Sequence, residues 1–292
     1  MRALTEADSP DATSWPRLPI GVALGSIGAD ARWWLESARR LDAAGYDGIW
    51  CWDHFMSRGK KANPVLEQWT TLAAAGAVTE RIGIGTFVTN VMTRHPAVLA
   101  RMAGTLQEIS GGRLTVGLGA GGDAVENEAY GIPFPAIGQR VARLEEAVAV
   151  LRALWTGGPV AYEGRFFRLR DAVAFPLPDP APRILIGAGS PAGVRLAARI
   201  GDGWAAEVDE FADLEPRWRE ALDRNGRRRS EVQVVLGFGS GRSGQDALRG
   251  SPWVEEPRAA ADEWRSRGAD RMIVPARTTA DVDALVTAVE RW

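Results

Sequence analysis

The chain alternates between short apolar segments and longer segments of helical periodicity, almost without interruption from residue 19 to its last residue. Each apolar segment has the length of a buried strand, and each segment after it repeats apolar residues at helical spacing. Eight such pairs occur in 292 residues. Alternating strands and helices require a parallel sheet. Eight repeats predict a closed (β/α)8 TIM barrel, and an open, doubly wound sheet is the alternative.

The predicted element ends follow from local signals, such as Asp30 as an N-cap and Gly45 as a helix stop. The predicted strands span residues 20–24, 48–52, 82–87, 114–118, 184–186, 204–206, 232–236 and 271–274. The predicted helices span residues 30–44, 64–79, 96–109, 138–155, 191–200, 214–225, 257–267 and 279–292. Residues 1–18 read as a loose tail before a single domain at 19–292.

One segment breaks the alternation between the fourth helix and the fifth strand. Residues 160–169 predict a hairpin whose turn is formed by Glu163 and Gly164. A proline-rich connector at 176–182 then returns the chain to the fifth strand. We interpret this segment as an insertion in the barrel, not as a second domain.

The charge balance argues against several classes of partner. The 35 basic and 37 acidic residues give a net charge of -2, which does not support binding to nucleic acid or to a membrane surface. No apolar run approaches the ~20 residues of a membrane span, and the N-terminus has no apolar signal region. The single cysteine, Cys51, cannot form an internal disulfide, which predicts a reducing, cytoplasmic location.

The stretch RLTVGLGAGGDAVEN, at residues 113–127, is dense in glycine. Gly117, Gly119 and Gly122 match the G-x-G-x-x-G pattern of dinucleotide-binding turns. A loop with Pro133 and Pro135 is expected to follow, however, where that pattern needs a helix. As the fourth of eight strand ends, the stretch predicts a rim loop whose glycines let backbone approach a ligand.

The candidate site residues are those at the carboxyl ends of the predicted strands, where barrels of this kind carry their active sites. His54 follows Asp53 after the second strand and is a candidate to titrate or to donate to a ligand; a rim hydrogen bond is the alternative. His95 is expected to help end its loop. Glu126, after the fourth strand, is either a functional acid or a solvated loop charge.

Two more strand ends carry candidates. Thr86, Phe87, Val88 and Asn90 lie at and just after the end of the third strand and include polar groups that could bond a ligand. The fifth strand ends in the segment Gly187, Ala188, Gly189 and Ser190, directly before a predicted helix. Free backbone N–H groups, the helix dipole and a hydroxyl favour an anion site there, most naturally for phosphate, and a simple N-cap at Ser190 is the alternative.

Other catalytic motifs are missing from the sequence. It has no H-E-x-x-H, no C-x-x-C and no G-x-S-x-G in register, so we predict neither a metal site nor a serine nucleophile. With few acids and bases on the rim, a bound cofactor is expected to carry the difficult chemistry.

Five segments, taken together and in order, resemble the luciferase-like monooxygenase superfamily. They are YDGIWCWDHF, RIGIGTFVTNVMTRHPAVLAR, ISGGRLTVGLGAGGDAVENEAYGIPF, RVARLEEAVAVLRALWTGGPVAYEGRFFRL and ILIGAGSPAGVRLAARIGDGW. The Asp-His-Phe after the second strand is similar to the branch that uses the deazaflavin coenzyme F420. The resemblance implies the same barrel, that coenzyme and a family habit of forming homodimers.

The resemblance also implies roles for residues. Asp53 and His54 would lie near the deazaflavin ring, with His54 positioning or protonating the substrate, and Phe87–Val88 would form a non-proline cis peptide behind the ring. Residues 187–190 would hold the cofactor phosphate. Glu126 and the turn at Gly119 would border the cofactor tail or the substrate mouth.

The implied activity is hydride transfer between the deazaflavin and a small organic substrate, with C=C or C=N reduction as the candidate reaction. An FMN-dependent monooxygenase and a non-catalytic flavin-binding protein are the alternatives. Gly122 stands where relatives carry a tryptophan or an acid, and Arg58 replaces a tryptophan, which argues against a sugar-phosphate substrate. Residues 238–256 are rich in glycine and serine and show little pattern.

Overall fold

The computed structural model describes residues 18–57, 60, 62–237 and 248–292, and within them a parallel barrel is closed. The strands of the sheet are β1 (Leu18–Leu24), β2 (Tyr46–Cys51), β3 (Gly83–Thr86), β4 (Thr89–Asn90), β5 (Leu114–Gly119), β8 (Arg183–Gly187), β9 (Gly203–Glu207), β10 (Gln233–Gly237) and β11 (Arg271–Ala276). Pairing of β3 with β5 closes the ring, and the two-residue β4 extends it beyond the end of β3. The predicted TIM barrel is confirmed and the open sheet is wrong.

The outer layer consists of helices that bury their apolar faces on the strands. They are α1 (Ala31–Ala44), α2 (Gln68–Val78), α3 (Pro96–Ile109), α4 (Ala124–Ala129), α5 (Ile137–Leu154), α6 (Pro191–Ile200), α7 (Val208–Arg224), α8 (Pro252–Glu255), α9 (Pro257–Ser266) and α10 (Thr279–Ala288). Asp30 caps α1 by accepting from the amides of Arg32 and Trp33, and Gly45 ends it at φ 88°, as predicted.

An antiparallel hairpin separates α5 from β8. It pairs β6 (Val160–Glu163) with β7 (Arg168–Ala172). The carboxylate of Glu146 on α5 accepts hydrogen bonds from the amides of Arg165 and Phe166 at 2.8 and 2.9 Å. The turn is therefore fastened to the outer helix layer.

Several predicted boundaries were wrong. The second helix begins at Gln68 and not at residue 64, because the Glu67 carboxylate caps it while Pro64 accepts a backbone hydrogen bond from Gly28. The sixth long helix begins at Val208 and not at 214, and it accommodates Pro216 in its interior because its buried face extends across the proline. The expected loop after the glycine turn contains the short α4, which Asp123 caps.

The interior of the barrel is filled beneath the site by Trp50, which is 2% exposed. Its indole covers the backbone of Gly21, Gly48 and Gly85, where any Cβ would crowd the ring. Above it, Phe87 meets the indole edge-on with ring centroids 6.2 Å apart. Trp50 therefore supports the floor of the open end of the barrel.

Some expectations lie outside the described residues. These are the tail at residues 1–17, Arg58, and residues 238–247 of the glycine- and serine-rich stretch. No helix in the described ranges is both long and apolar enough to cross a membrane. His95 caps α3, with its Nδ1 accepting from the amide of Ala97, as expected for a loop-ending residue.

Candidate functional site

A cavity of about 470 Å³ opens at the carboxyl ends of the barrel strands. Its walls come from the segments after β2, β3, β5, β8 and β9 and from the first turns of the helices nearby. The predicted residues that line it are Asp53, His54, Phe87, Val88, Asn90, Gly119, Glu126, Gly187, Ala188, Gly189 and Ser190. Strand ends that are far apart in the sequence therefore meet at one site, as the barrel requires.

Thr86, one of the predicted cofactor-binding residues, does not line this cavity. The residue is fully buried between β3 and β5. Its hydroxyl donates to the Gly117 carbonyl at 2.8 Å and accepts from the Gly117 amide at 2.7 Å. With its proton donated and a lone pair engaged, this hydroxyl joins two strands and does not face a ligand.

The floor of the cavity is formed by Phe87 and Val88. The peptide bond between them is cis, as the resemblance implied. The Val88 methyl groups occupy the space in which a Cβ on Gly119 or Gly187 would lie, 2.7 Å away in each case. Similarly, the Phe87 ring lies where a Cβ on Gly237 would be, at 2.6 Å. These glycines are therefore what allows an apolar floor to form at this level of the barrel.

His54 is held by Glu126 on the short helix α4. The His54 Nδ1 lies 3.2 Å from Glu126 Oε2, and Glu126 itself is 4% exposed. The other carboxylate oxygen, Oε1, accepts from the amides of Phe55 and Met56, the latter at 2.9 Å. Since an ionised carboxylate can only accept, His54 donates through Nδ1 and leaves Nε2 free to face the cavity. Glu126 is therefore not a solvated loop charge.

Replacing Glu126 by leucine should lower the free energy of unfolding by about 2 kcal/mol, because the amides of Phe55 and Met56 would lose their acceptor. Glu126→Gln keeps an oxygen in that place and should lose less than half as much. Thermal denaturation of the three proteins measures the difference. Equal melting temperatures for the leucine variant and the parent would show that the two amides do not depend on this carboxylate.

Asp53 is held by a half-buried arginine, Arg94. Arg94 donates to its two oxygens at 2.6 and 3.0 Å and also reaches Glu67 Oε1 at 2.6 Å. The Asn90 amide donates to Asp53 at 2.9 Å. Burial acts to lower the pKa of Arg94, but its bonds to Asp53 and Glu67 outweigh this and raise it. At the cavity edge, Asp53 therefore presents a carboxylate that is paired with the positive charge of Arg94.

The predicted phosphate segment has fewer free groups than its sequence suggests. The Ala188 amide donates to the Ala205 carbonyl at 3.0 Å, so it joins two strands and is not available to a ligand. The Ser190 hydroxyl accepts from the Gly193 amide and caps α6, as the alternative interpretation held. What remains for an anion is the hydroxyl proton of Ser190 and the amide of Ala192, because Pro191 has no N–H and the Gly193 amide already donates to Ser190.

Two carboxylates that the sequence pattern did not indicate as site residues also line the cavity. Glu207 ends β9 and Glu210 lies in the first turn of α7. Burial, followed by repulsion from neighbouring acids, raises the pKa of both. The Glu210 carboxylate occupies the space beside Gly189 in which a Cβ would lie.

Asp123 and Arg94 were also missed. One side-chain oxygen or nitrogen atom of each of His54, Asp123 and Glu126 lies within 4.8 Å of the others. Asp123, which directly follows Gly122, therefore places an acid beside His54, although Gly122 itself replaces the acid of the relatives. A signal existed for Asp123, because it directly follows the glycine turn. For Arg94, the sequence offered no signal, because only the folded structure shows that its side chain reaches Asp53.

Comparison with known proteins identifies relatives of the chain. The luciferase-like monooxygenase family matches residues 17–240. An F420-dependent glucose-6-phosphate dehydrogenase of Intrasporangium calvum is 37% identical over 69% of this chain and 63% of its own length. An F420-dependent hydroxymycolic acid dehydrogenase of Mycobacterium tuberculosis is 32% identical over 61% of this chain and 50% of its own length. The matched part of the chain thus spans less than two thirds of these relatives.

Solved structures show the same fold. An F420-dependent secondary alcohol dehydrogenase in complex with an F420–acetone adduct aligns with a TM-score of 0.81 at 20% identity, over 94% of this chain and 99% of that chain. The coenzyme F420-dependent tetrahydromethanopterin reductase of Methanopyrus kandleri aligns with a TM-score of 0.75 at 18% identity, over 94% and 98%. At such low sequence identities, the similarity shows a shared fold alone.

Proposed function

We propose that this chain, which belongs to the luciferase-like monooxygenase family, is an oxidoreductase that transfers a hydride between coenzyme F420 and a small organic substrate. The observation that carries the proposal is the apolar floor of Phe87 and Val88, which lies in one cavity with His54 and its partner Glu126. The relatives described above, which are named for F420-dependent dehydrogenation, support the choice of cofactor.

The residues that form the floor of the cavity fit the planar ring of a deazaflavin. Gly119 and Gly187 carry no side chain beside Val88, so the floor is free of projecting groups and a planar ring can lie against it. Asp53 and His54 line the same cavity and would offer polar contacts to the ring. Ser190 and the amide of Ala192 would hold the phosphate, with Gly189 beside them.

When bound, coenzyme F420 supplies a carbon that gives or takes a hydride. The protein's own contribution is to orient the substrate, exclude water and move a proton. Glu126 keeps one proton of His54 on Nδ1, so that a second proton, carried on the cavity-facing Nε2, would pass to the substrate that accepts the hydride. Arg94 holds Asp53 in place from behind, and its charge balances that carboxylate.

Side-by-side titration of the purified protein with coenzyme F420 and with FMN tests the cofactor. We expect F420 to bind with a micromolar Kd and FMN to bind at least ten times more weakly. Turnover is then tested by oxidation of reduced F420 with 2-cyclohexen-1-one as a C=C probe and 2-methyl-1-pyrroline as a C=N probe. Micromolar binding of FMN without binding of F420 would overturn the proposal in favour of a flavin monooxygenase.

We further propose that the protein acts as a homodimer in the cytoplasm. The family resemblance supports the dimer, and Cys51, a buried free thiol, suits a reducing compartment. Light scattering on the purified protein should give twice the mass of the chain. A mass of one chain at micromolar concentration would contradict the dimer.

A further inference from the structure

The described lining of the cavity contains acids but no lysine or arginine. Its acidic residues are Asp53, Asp123, Glu126, Glu207 and Glu210. Arg94 neutralises Asp53, His54 and two backbone amides engage Glu126, and Asp123 caps α4. The negative charge that has no partner among the described lining residues therefore belongs to Glu207 and Glu210.

Glu207 and Glu210 make no hydrogen bond or ion pair within the described part of the chain. They lie three residues apart, at the end of β9 and the start of α7, and both line the cavity. Partial burial and repulsion from the nearby Asp209 raise the pKa of both, and Glu207 adds to the repulsion at Glu210. A cation between them would relieve both effects.

The cavity also has an apolar wall. Ile137, Val141 and Leu144 on α5 and Leu196 on α6 supply it. A ligand that matches this cavity combines an apolar body with a positive group. A sugar phosphate has the opposite character, because its charge is negative and its body is polar.

We propose that Glu207 and Glu210 select, in the site of the proposed function, a substrate that carries a protonated amine or an iminium group on an apolar body. The proposal rests on the proposed function and narrows its substrate class from C=C or C=N compounds to organic cations. Cavity carboxylates that have no cation of their own among the described residues favour a cationic ligand over a neutral or anionic one of similar shape.

A series of three ligands of equal shape tests the charge preference on the cofactor-free protein. 3-Phenylpropylamine, 3-phenylpropanol and 3-phenylpropionate are titrated by calorimetry at pH 7.5. We expect the amine to bind at least ten times more tightly than the alcohol and the acid to bind most weakly. The amine's advantage should shrink as ionic strength rises.

Substitutions test whether Glu207 and Glu210 cause the preference for the amine. In the double variant Glu207→Gln/Glu210→Gln the amine should bind within about twofold of the alcohol. Asp213→Asn, on the exposed side of the same helix, is the matched control and should keep the full preference. Equal binding of all three ligands to the parent, or a preference that survives the double variant, overturns the proposal.

Titration of the same proteins with F420 separates this proposal from the proposed function. If F420 binds the parent and the ligands show no charge preference, the substrate class is wrong and the cofactor assignment stands. If the amine preference is found but F420 does not bind, the cofactor assignment fails alone. With F420 bound, the ratio of kcat/KM for 2-methyl-1-pyrroline over 2-cyclohexen-1-one should fall at least tenfold in the double variant.

Discussion

Replacing His54 by alanine should lower kcat for oxidation of reduced F420 by two orders of magnitude or more, since a positioned proton donor contributes roughly 10²–10⁴ to a rate. His54 is the histidine whose Nε2 can face the cavity, and Glu126 fixes it in that orientation. The measurement uses whichever of the two probe substrates the parent reduces faster. Imidazole added to the buffer should restore part of the lost rate.

His95→Ser is the matched control. His95 is the second of the two histidines in the chain, and it caps α3 instead of lining the cavity. Serine keeps a capping oxygen, so the rate should stay within about twofold of the parent. If His54→Ala keeps its rate within threefold while its Kd for F420 rises, His54 binds the cofactor and does not move the proton.

The position of His54 could be predicted from the sequence, but its partner could not. Strand ends of a parallel barrel meet on one face, so the register of β2 alone places Asp53 and His54 at the site. Glu126 reaches His54 only because residues 124–129 form a helix that turns its side chain back toward β2. That helix has six residues and lies before a proline-containing loop, so its periodicity is too short to be recognised.

The two cavity acids were missed for another reason. Acidic residues in the first turn of a helix interact favourably with the helix dipole, so Glu210, together with Asp209, resembles an ordinary solvated helix start. Glu207 follows an apolar run of only three residues, so the sequence did not place it at the end of a strand. Only the closed barrel shows that Glu207 and Glu210 share a cavity with His54.

The glycine turn shows what a motif reveals without the fold. The G-x-G-x-x-G spacing was present, but no dinucleotide turn results, because the strand ends on a barrel rim and leads into a short helix. Instead, Gly117 and Gly119 give room to Val88 on the adjacent strand end. The requirement for glycine was therefore correct, and its cause is a close approach of two strands.

Replacing Gly117 by alanine should destabilise the fold by about 3 kcal/mol, or prevent folding, because overpacking a rigid site typically costs 1–3 kcal/mol and sometimes more. A Cβ there would overlap the Thr86 carbonyl oxygen and would lie 2.9 Å from a Val88 methyl group. The carbonyl belongs to the barrel backbone and cannot rotate away. The two hydrogen bonds between Thr86 and Gly117 would also be strained.

Gly122→Ala is the control in the same turn, since nothing lies within 4 Å of its Cβ position. We expect its free energy of unfolding to stay within about 0.5 kcal/mol of the parent, as for open surface positions. Thermal and denaturant unfolding of both variants measure the contrast, and the midpoint for Gly117→Ala should fall by roughly 6–12 °C if it folds. Equal stability of the two variants would mean that β3 and β5 are not in close contact at Gly117, and the apolar floor of the cavity would then need another support.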